Sequence, residues 1–213
     1  MLPKKRVLEI VRRLEEEYPL AECTLDFKKD YELLFSVRLA AQCTDARVNM
    51  ITPALFERFP TLQSFADAEP EDVEPYVRSC GFYRAKARDI VASARMLVDN
   101  YGGRVPDTME ELLKLPGVGR KTANIVMNNV FGVVEGIAVD THVNRIAHKL
   151  GLVVPKRETD PNKVEAQLLG LIPRELWGPV NHQWVLFGRE YCDAKRPRCG
   201  ECPLADICPS AGK

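Results

Sequence analysis

Apolar residues recur at helical spacing from one end of this chain to the other. Val7, Leu8, Val11, Leu14 and Tyr18 share one helical face, and so do Leu33, Leu34, Val37 and Ala41. Further helices are expected near 83–100, 108–115, 120–132, 141–150, 161–171 and 180–191. Asp45 reads as the N-cap of another, which Pro53 should interrupt or kink. No segment alternates with period two. Val-Val-Glu-Gly-Ile-Ala-Val at 133–139 is the one strand-like piece, too isolated to build a sheet. The expectation is an all-α protein without internal repeats.

A chain of 213 residues with 46% hydrophobic residues can bury one good core or two small ones. Its start, Met-Leu-Pro-Lys-Lys-Arg, runs into a charged helix with Glu15, Glu16 and Glu17, so neither a signal-peptide core nor a membrane-length apolar run is expected. The expected location is the cytoplasm, nucleoid-associated in a prokaryote, with no membrane partner. Thirty basic and thirty acidic residues cancel, so distribution carries the information. Acid gathers at Glu69, Glu71, Asp72 and Glu74, whereas Lys114, Arg120 and Lys121 have no acidic residue among them after Glu111. Arg84, Arg88 and Arg95 fall on one helical face, the pattern of a solvated surface.

The stretch Leu-Pro-Gly-Val-Gly-Arg-Lys-Thr-Ala (115–123) combines a two-glycine turn with a helix that starts on cations. A helix start already carries partial positive charge, so Arg120 and Lys121 gain nothing from the dipole there. Amides uncovered at Gly117, Val118 and Gly119 make an anion site, and a bound phosphate would offset that placement. An ordinary helix-to-helix turn would need no such run of cations.

Cys192, Cys199, Cys202 and Cys208 fall within seventeen residues, with Pro203 and Pro209 after the last two. Thiols stay reduced in the cytosol, which favours ligands over disulfides. The spacing has one close pair and two wider gaps, unlike the paired pattern of zinc ribbons or the tighter ferredoxin run. Iron-sulfur cluster and zinc both remain open on chemistry alone, with the cluster ahead. Cys23, Cys43 and Cys80 read as small buried residues.

Together the hairpin run, Val139-Asp140-Thr141-His142 nineteen residues beyond Lys121, and the four cysteines resemble the endonuclease III family of helix-hairpin-helix DNA glycosylases. The resemblance covers essentially the whole chain. It implies a six-helix domain over about 22–132 and a discontinuous domain of 1–21 and 133–213, with DNA across the cleft between them. The C-terminal cysteines would hold a 4Fe-4S cluster, whose loop presents Lys195, Arg196 and Arg198 to phosphate. Lys121 would be the nucleophile and Asp140 the second catalytic residue, although an aspartate there is also a natural N-cap. Leu39–Asp45 is similar to the segment that supplies an intruding glutamine, here Gln42, and Gly81–Ile90 to the one that supplies a wedge, here Phe82. The family commonly has an aliphatic wedge, and a core phenylalanine would be the alternative. Asp45 and His142 would help recognise the lesion.

The implied activity is a bifunctional glycosylase and abasic-site lyase acting on oxidised pyrimidines in double-stranded DNA, as a monomer. A base in a duplex must be flipped out before it can be attacked. Adenine-mismatch glycosylases share the hairpin and cluster but carry a glutamate where this chain has Arg38, and they lack the lysine. A mismatch thymine glycosylase of this fold, or a non-catalytic iron-sulfur DNA-binding or redox protein, completes the alternatives.

Overall fold

The first helix has no sequence neighbour able to cover its apolar face, and that need sets where the two ends of the chain meet. In the computed structural model, which describes residues 4–155 and 158–212, α1 (Lys4–Glu17) is followed by α2 (Asp30–Ala40), α3 (Asp45–Arg58), α4 (Leu62–Ala66), α5 (Pro70–Val77) and α6 (Tyr83–Tyr101). Then come α7 (Met109–Leu112), α8 (Arg120–Phe131), α9 (Thr141–Lys149), α10 (Pro161–Leu171) and α11 (Trp177–Glu190), with 3-10 turns at Arg174–Leu176 and Ala205–Ile207. No strand occurs among the described residues. The chain divides into two units, Met1–Glu22 with Val134–Lys213 and Cys23–Val133.

In the discontinuous unit, Val7, Ile10, Val11 and Leu14 of α1 pack with Trp184 and Phe187 of α11 and with Leu204. The polar flank of α1 then fastens the C-terminal loop. Arg6 donates from Nε to the Ile207 carbonyl at 2.9 Å and from Nη2 to the Leu150 carbonyl at 2.6 Å. Arg13 donates to the Pro203 carbonyl at 2.9 Å and pairs with Asp206 at 2.6 Å. The expected strand-like segment is instead an irregular run that buries Ile137, Ala138 and Val139. Its Ala138 carbonyl accepts from Asn181 Nδ2 at 2.7 Å, a side chain doing the work that a second strand would do.

The central unit is built on α6, whose buried face carries Ala87, Ile90, Val91, Ala94 and Leu97. Phe35, Phe59 and Phe65 form its aromatic centre, with ring centroids 5.1 and 4.9 Å from Phe65. Glu69, Glu71 and Asp72 sit at the start of α5, and Asp72 accepts the Glu69 amide at 3.0 Å. Acid at a helix N-terminus complements the dipole, which accounts for that cluster locally.

The structure corrects the expected cap of α3 and shows no break at its proline. Thr44, not Asp45, is the N-cap, its side chain accepting from the Arg47 amide at 3.2 Å. A threonine one residue earlier takes the cap, and Asp45 enters the first turn with Oδ2 accepting from Thr24 Oγ1 at 2.7 Å. Pro53 does not interrupt α3, which continues to Arg58. Burial of Val48, Thr52 and Leu55 on either side of the proline holds the helix together.

Candidate active site

The hairpin is fixed from beneath. Leu112 and Leu115 are buried, and the Val118 amide closes the turn on the Leu115 carbonyl at 3.1 Å, so of the three amides expected to be uncovered this one is spent within the turn. Ser93 Oγ donates to the Pro116 carbonyl at 2.9 Å. Gly117 has φ +73, and a Cβ there would lie 2.5 Å from Asp89 Oδ2 and 2.6 Å from Arg38 Nε. Those two side chains form an ion pair at 2.6 Å, so only glycine fits above it. Arg38 therefore holds the hairpin floor, a role that its sequence position did not suggest.

Gly117 and Gly119 are exposed and Val118 half-buried. Gly119 is the N-cap of α8 and supplies no side chain to its first-turn amides, and that turn holds no acidic residue. Arg120 is half-buried and Lys121 exposed in it. The amine thus stands beside uncapped backbone donors, in a local field that attracts an anion.

Asp140 belongs to the other unit and is the N-cap of α9. Its Oδ1 accepts from the amides of His142 and Val143, both at 2.8 Å. Capping and carboxylate chemistry are compatible here, because both amides take the same oxygen and Oδ2 is not consumed by the cap. His142 Nδ1 lies 3.1 Å from Arg145 Nη2. Arginine only donates, so Nδ1 is the acceptor and the ring is held at that edge. Arg145 also donates to the Cys192 carbonyl at 2.9 Å, which ties the Asp140 helix to the first of the four C-terminal cysteines. Sequence reasoning missed Arg145; only its place one turn into the same short helix hinted at it.

Gln42 and Phe82 share a backbone peculiarity. Both are non-glycine residues in the left-handed region, at φ 55 and φ 58. Such conformations cost free energy and gather at functional loops. Phe82 is 71% exposed, which removes the core-phenylalanine alternative. Gln42 is exposed as well, and Asp45 is half-buried against Thr24. Arg84 and Arg95 of the same helix point elsewhere, to Glu74 at 3.9 Å and Glu69 at 3.0 Å.

In the C-terminal loop the four cysteines are all half-buried and line one pocket of about 490 Å³, counting its mouth, with Lys149, Leu150, Phe187, Tyr191 and Leu204. Burial pushes the free thiols of Cys192 and Cys202 above the usual range. Iron would reverse that preference, because a thiolate is the ligand. Four soft donors around one shared, largely apolar pocket fit a cluster held at four corners. The connecting loop is ordered by Asp193, whose Oδ1 accepts from the amides of Lys195 at 2.8 Å and Arg196 at 2.9 Å. Those donors hold its carboxyl below the usual range, the Arg196 amide most strongly. Lys195, Arg196 and Arg198 are all exposed, but they are not equivalent. Arg198 pairs with Glu201 and lies over the Tyr191 ring at 5.8 Å, so part of its charge is already answered.

A two-glycine hairpin, an uncapped helix carrying a lysine and a cysteine loop define a class. Residues 35–174 match the HhH-GPD superfamily of base excision DNA repair proteins, and residues 192–208 match the iron-sulfur binding domain of endonuclease III. The chain is 45% identical to endonuclease III of Synechocystis sp., over 98% of this chain and 94% of that one. It is 40% identical to endonuclease III of Bacillus subtilis, over 100% and 96% respectively. A solved structure of a trapped endonuclease III–DNA covalent intermediate superposes with a TM-score of 0.93 at 42% identity, covering 99% of this chain and 98% of that one. The chain belongs to the endonuclease III family, and its cofactor is a 4Fe-4S cluster.

Proposed function

We propose that this chain removes oxidised pyrimidines from double-stranded DNA and cuts the strand at the resulting abasic site, with Lys121 as nucleophile and Asp140 as the carboxylate that stabilises the cationic sugar. As a member of its family it is an enzyme of base excision repair, a DNA glycosylase with abasic-site lyase activity. The observation that carries the residue assignment is the exposed Lys121 amine in the uncapped first turn of α8, directly after the two-glycine hairpin. A covalent protein–DNA intermediate, of the kind trapped in the solved relative, requires a nucleophile on the protein.

The Gly117 and Gly119 amides, with the first turn of α8, receive a backbone phosphate and set the lysine against the sugar. The amine, once neutral, attacks C1′ of the flipped nucleotide and the damaged base leaves. The Schiff base that follows loses a proton from C2′, and β-elimination breaks the bond to the 3′ phosphate. Asp140, fixed by its own cap, offers its second oxygen to the positive charge that develops on the sugar. Gln42 and Phe82 fill the space left in the duplex, while Asp45 and His142 belong to lesion recognition. Cys192, Cys199, Cys202 and Cys208 hold the cluster, which when bound supplies a rigid cross-link of the loop that carries Lys195, Arg196 and Arg198. The protein acts as a monomer in the cytoplasm. Arg38, engaged with Asp89 beneath the hairpin, leaves no acid in the place that an adenine-mismatch enzyme would need.

The test is a duplex with a single thymine glycol, incubated with iron-loaded protein. Base release and a nicked strand are expected. Release of thymine from a G·T mismatch at a higher rate than thymine glycol would overturn the substrate assignment.

A further inference from the structure

We propose that Lys86 is a positioning residue that sets Gln42 and Phe82 in register with each other, so that both enter the duplex together when a lesion is flipped out. The proposal rests on the reading of those two residues as the groups that fill the vacated space. Lys86 lies on α6 one turn after Phe82, and its amide donates to the Phe82 carbonyl at 3.1 Å. Its side chain then crosses the unit interior, and the residue is only 1% exposed. Nζ donates to the carbonyls of Leu39 at 2.9 Å and Ala41 at 2.7 Å. These groups lie at the end of α2, where carbonyls have no helical partners and the dipole favours a cation. A helical turn and two charge-assisted bonds therefore connect Phe82 to the residue that precedes Gln42.

Packing alone does not explain an ammonium in that place. A methionine would fill similar volume without the cost of burying a charge, and burial pushes the Lys86 amine below the usual lysine range. What the ammonium adds is a charge-assisted anchor that holds the Leu39 and Ala41 carbonyls at one point. Both residues that it links hold left-handed conformations, which persist only where the surroundings impose them. Lys86 is joined to both, through its amide to Phe82 and through Nζ to the carbonyl that precedes Gln42.

The test is a double-mutant cycle on single-turnover removal of thymine glycol, with thermal unfolding and affinity for undamaged duplex as controls. Lys86→Met in the otherwise native protein should slow base removal by roughly tenfold or more, with affinity for undamaged duplex kept within about twofold. In a Gln42→Ala/Phe82→Ala background the same change should slow it by less than about twofold, because the residues it positions are gone. A merely structural lysine would slow both backgrounds by the same factor, and that result would overturn the proposal. If Gln42→Ala/Phe82→Ala alone leaves base removal intact, the reading of those two residues falls, and the proposal falls with it by a separate route. Should Lys86→Met fail to fold, Lys86→Gln, neutral and shorter, carries the same cycle with the same two deciding outcomes.

Discussion

Gly117→Ala is the substitution whose cost follows most directly from the structure. At φ +73 an alanine pays about 1–2 kcal/mol for the left-handed backbone. Its Cβ would also stand 2.5 Å from Asp89 Oδ2, 2.6 Å from Arg38 Nε and 2.9 Å from Asp89 Cβ, so the ion pair must move. With side chains 21% and 27% exposed, that pair lies between a surface bridge and a buried one, and displacing it costs about 1–2 kcal/mol. The sum, roughly 2–4 kcal/mol, corresponds to a fall of about 5–15 °C in Tm for a protein of this size. Gly119→Ala is the internal control. It has φ −103, and nothing lies within 4 Å of its added methyl, so it should lose only the roughly 1 kcal/mol that alanine costs in place of glycine at a helix cap. Circular dichroism melts of the two variants, followed by fluorescence anisotropy on undamaged duplex, compare them. Equal melting temperatures for Gly117→Ala and Gly119→Ala would refute the reasoning, because the ion pair would then not be what demands glycine.

The purified protein should be yellow-brown with about four iron atoms per chain, and Cys199→Ala should lose them; stoichiometric zinc in the native protein would contradict the ligand assignment. Replacing Lys195 and Arg196 with alanine should flatten the salt dependence of DNA binding by roughly one unit of slope per lost phosphate contact, whereas Arg198→Ala, already paired with Glu201, should flatten it less. Acid should weaken both the ion pairs along α1 and the one that fastens it to the C-terminal loop. Arg12 and Arg13 lower Glu9 from 4.5 to about 2, and Arg13 lowers Asp206. The Glu9 contribution is therefore complete above about pH 4.5 and lost as pH falls toward about 2. A pH titration of thermal unfolding reads this, and Asp206→Asn should reduce the acid dependence.

The long helices were legible because periodicity survives over many residues; α6, α8 and α10 lie within a residue or two of where spacing put them. α4 and α5, at five and eight residues, are too short for that signal, and only their turn residues mark them. Thr44 displaced Asp45 as a cap because two capping residues stood side by side and sequence does not rank them. The hairpin and the cysteine loop were readable since glycine and cysteine carry their chemistry in their identity. Its supports were not: Arg38, Asp89, Lys86 and Arg145 act through partners 45 or more residues away, and nothing local in sequence announces such a pair. The exposure of Phe82 belongs to the same class, because an apolar residue beside a helix start reads equally well as core.

The most direct test of the account sets Lys121 against Asp140 by borohydride trapping on two substrates, a thymine-glycol duplex and a duplex with a preformed abasic site. Base removal needs a nucleophile and a stabilised cationic sugar, whereas an abasic site offers an aldehyde that an amine attacks unaided. Lys121→Gln should form no trapped adduct on either substrate. Asp140→Asn keeps an Oδ1 to cap α9, so it should fold, lose most base removal, and still trap and cut at the abasic site. Both variants should bind DNA, because the Gly117 and Gly119 amides need neither side chain. A Lys121→Gln protein that still formed the adduct at the native rate would contradict the account, and the lysine at the start of α8 would have to be explained without catalysis.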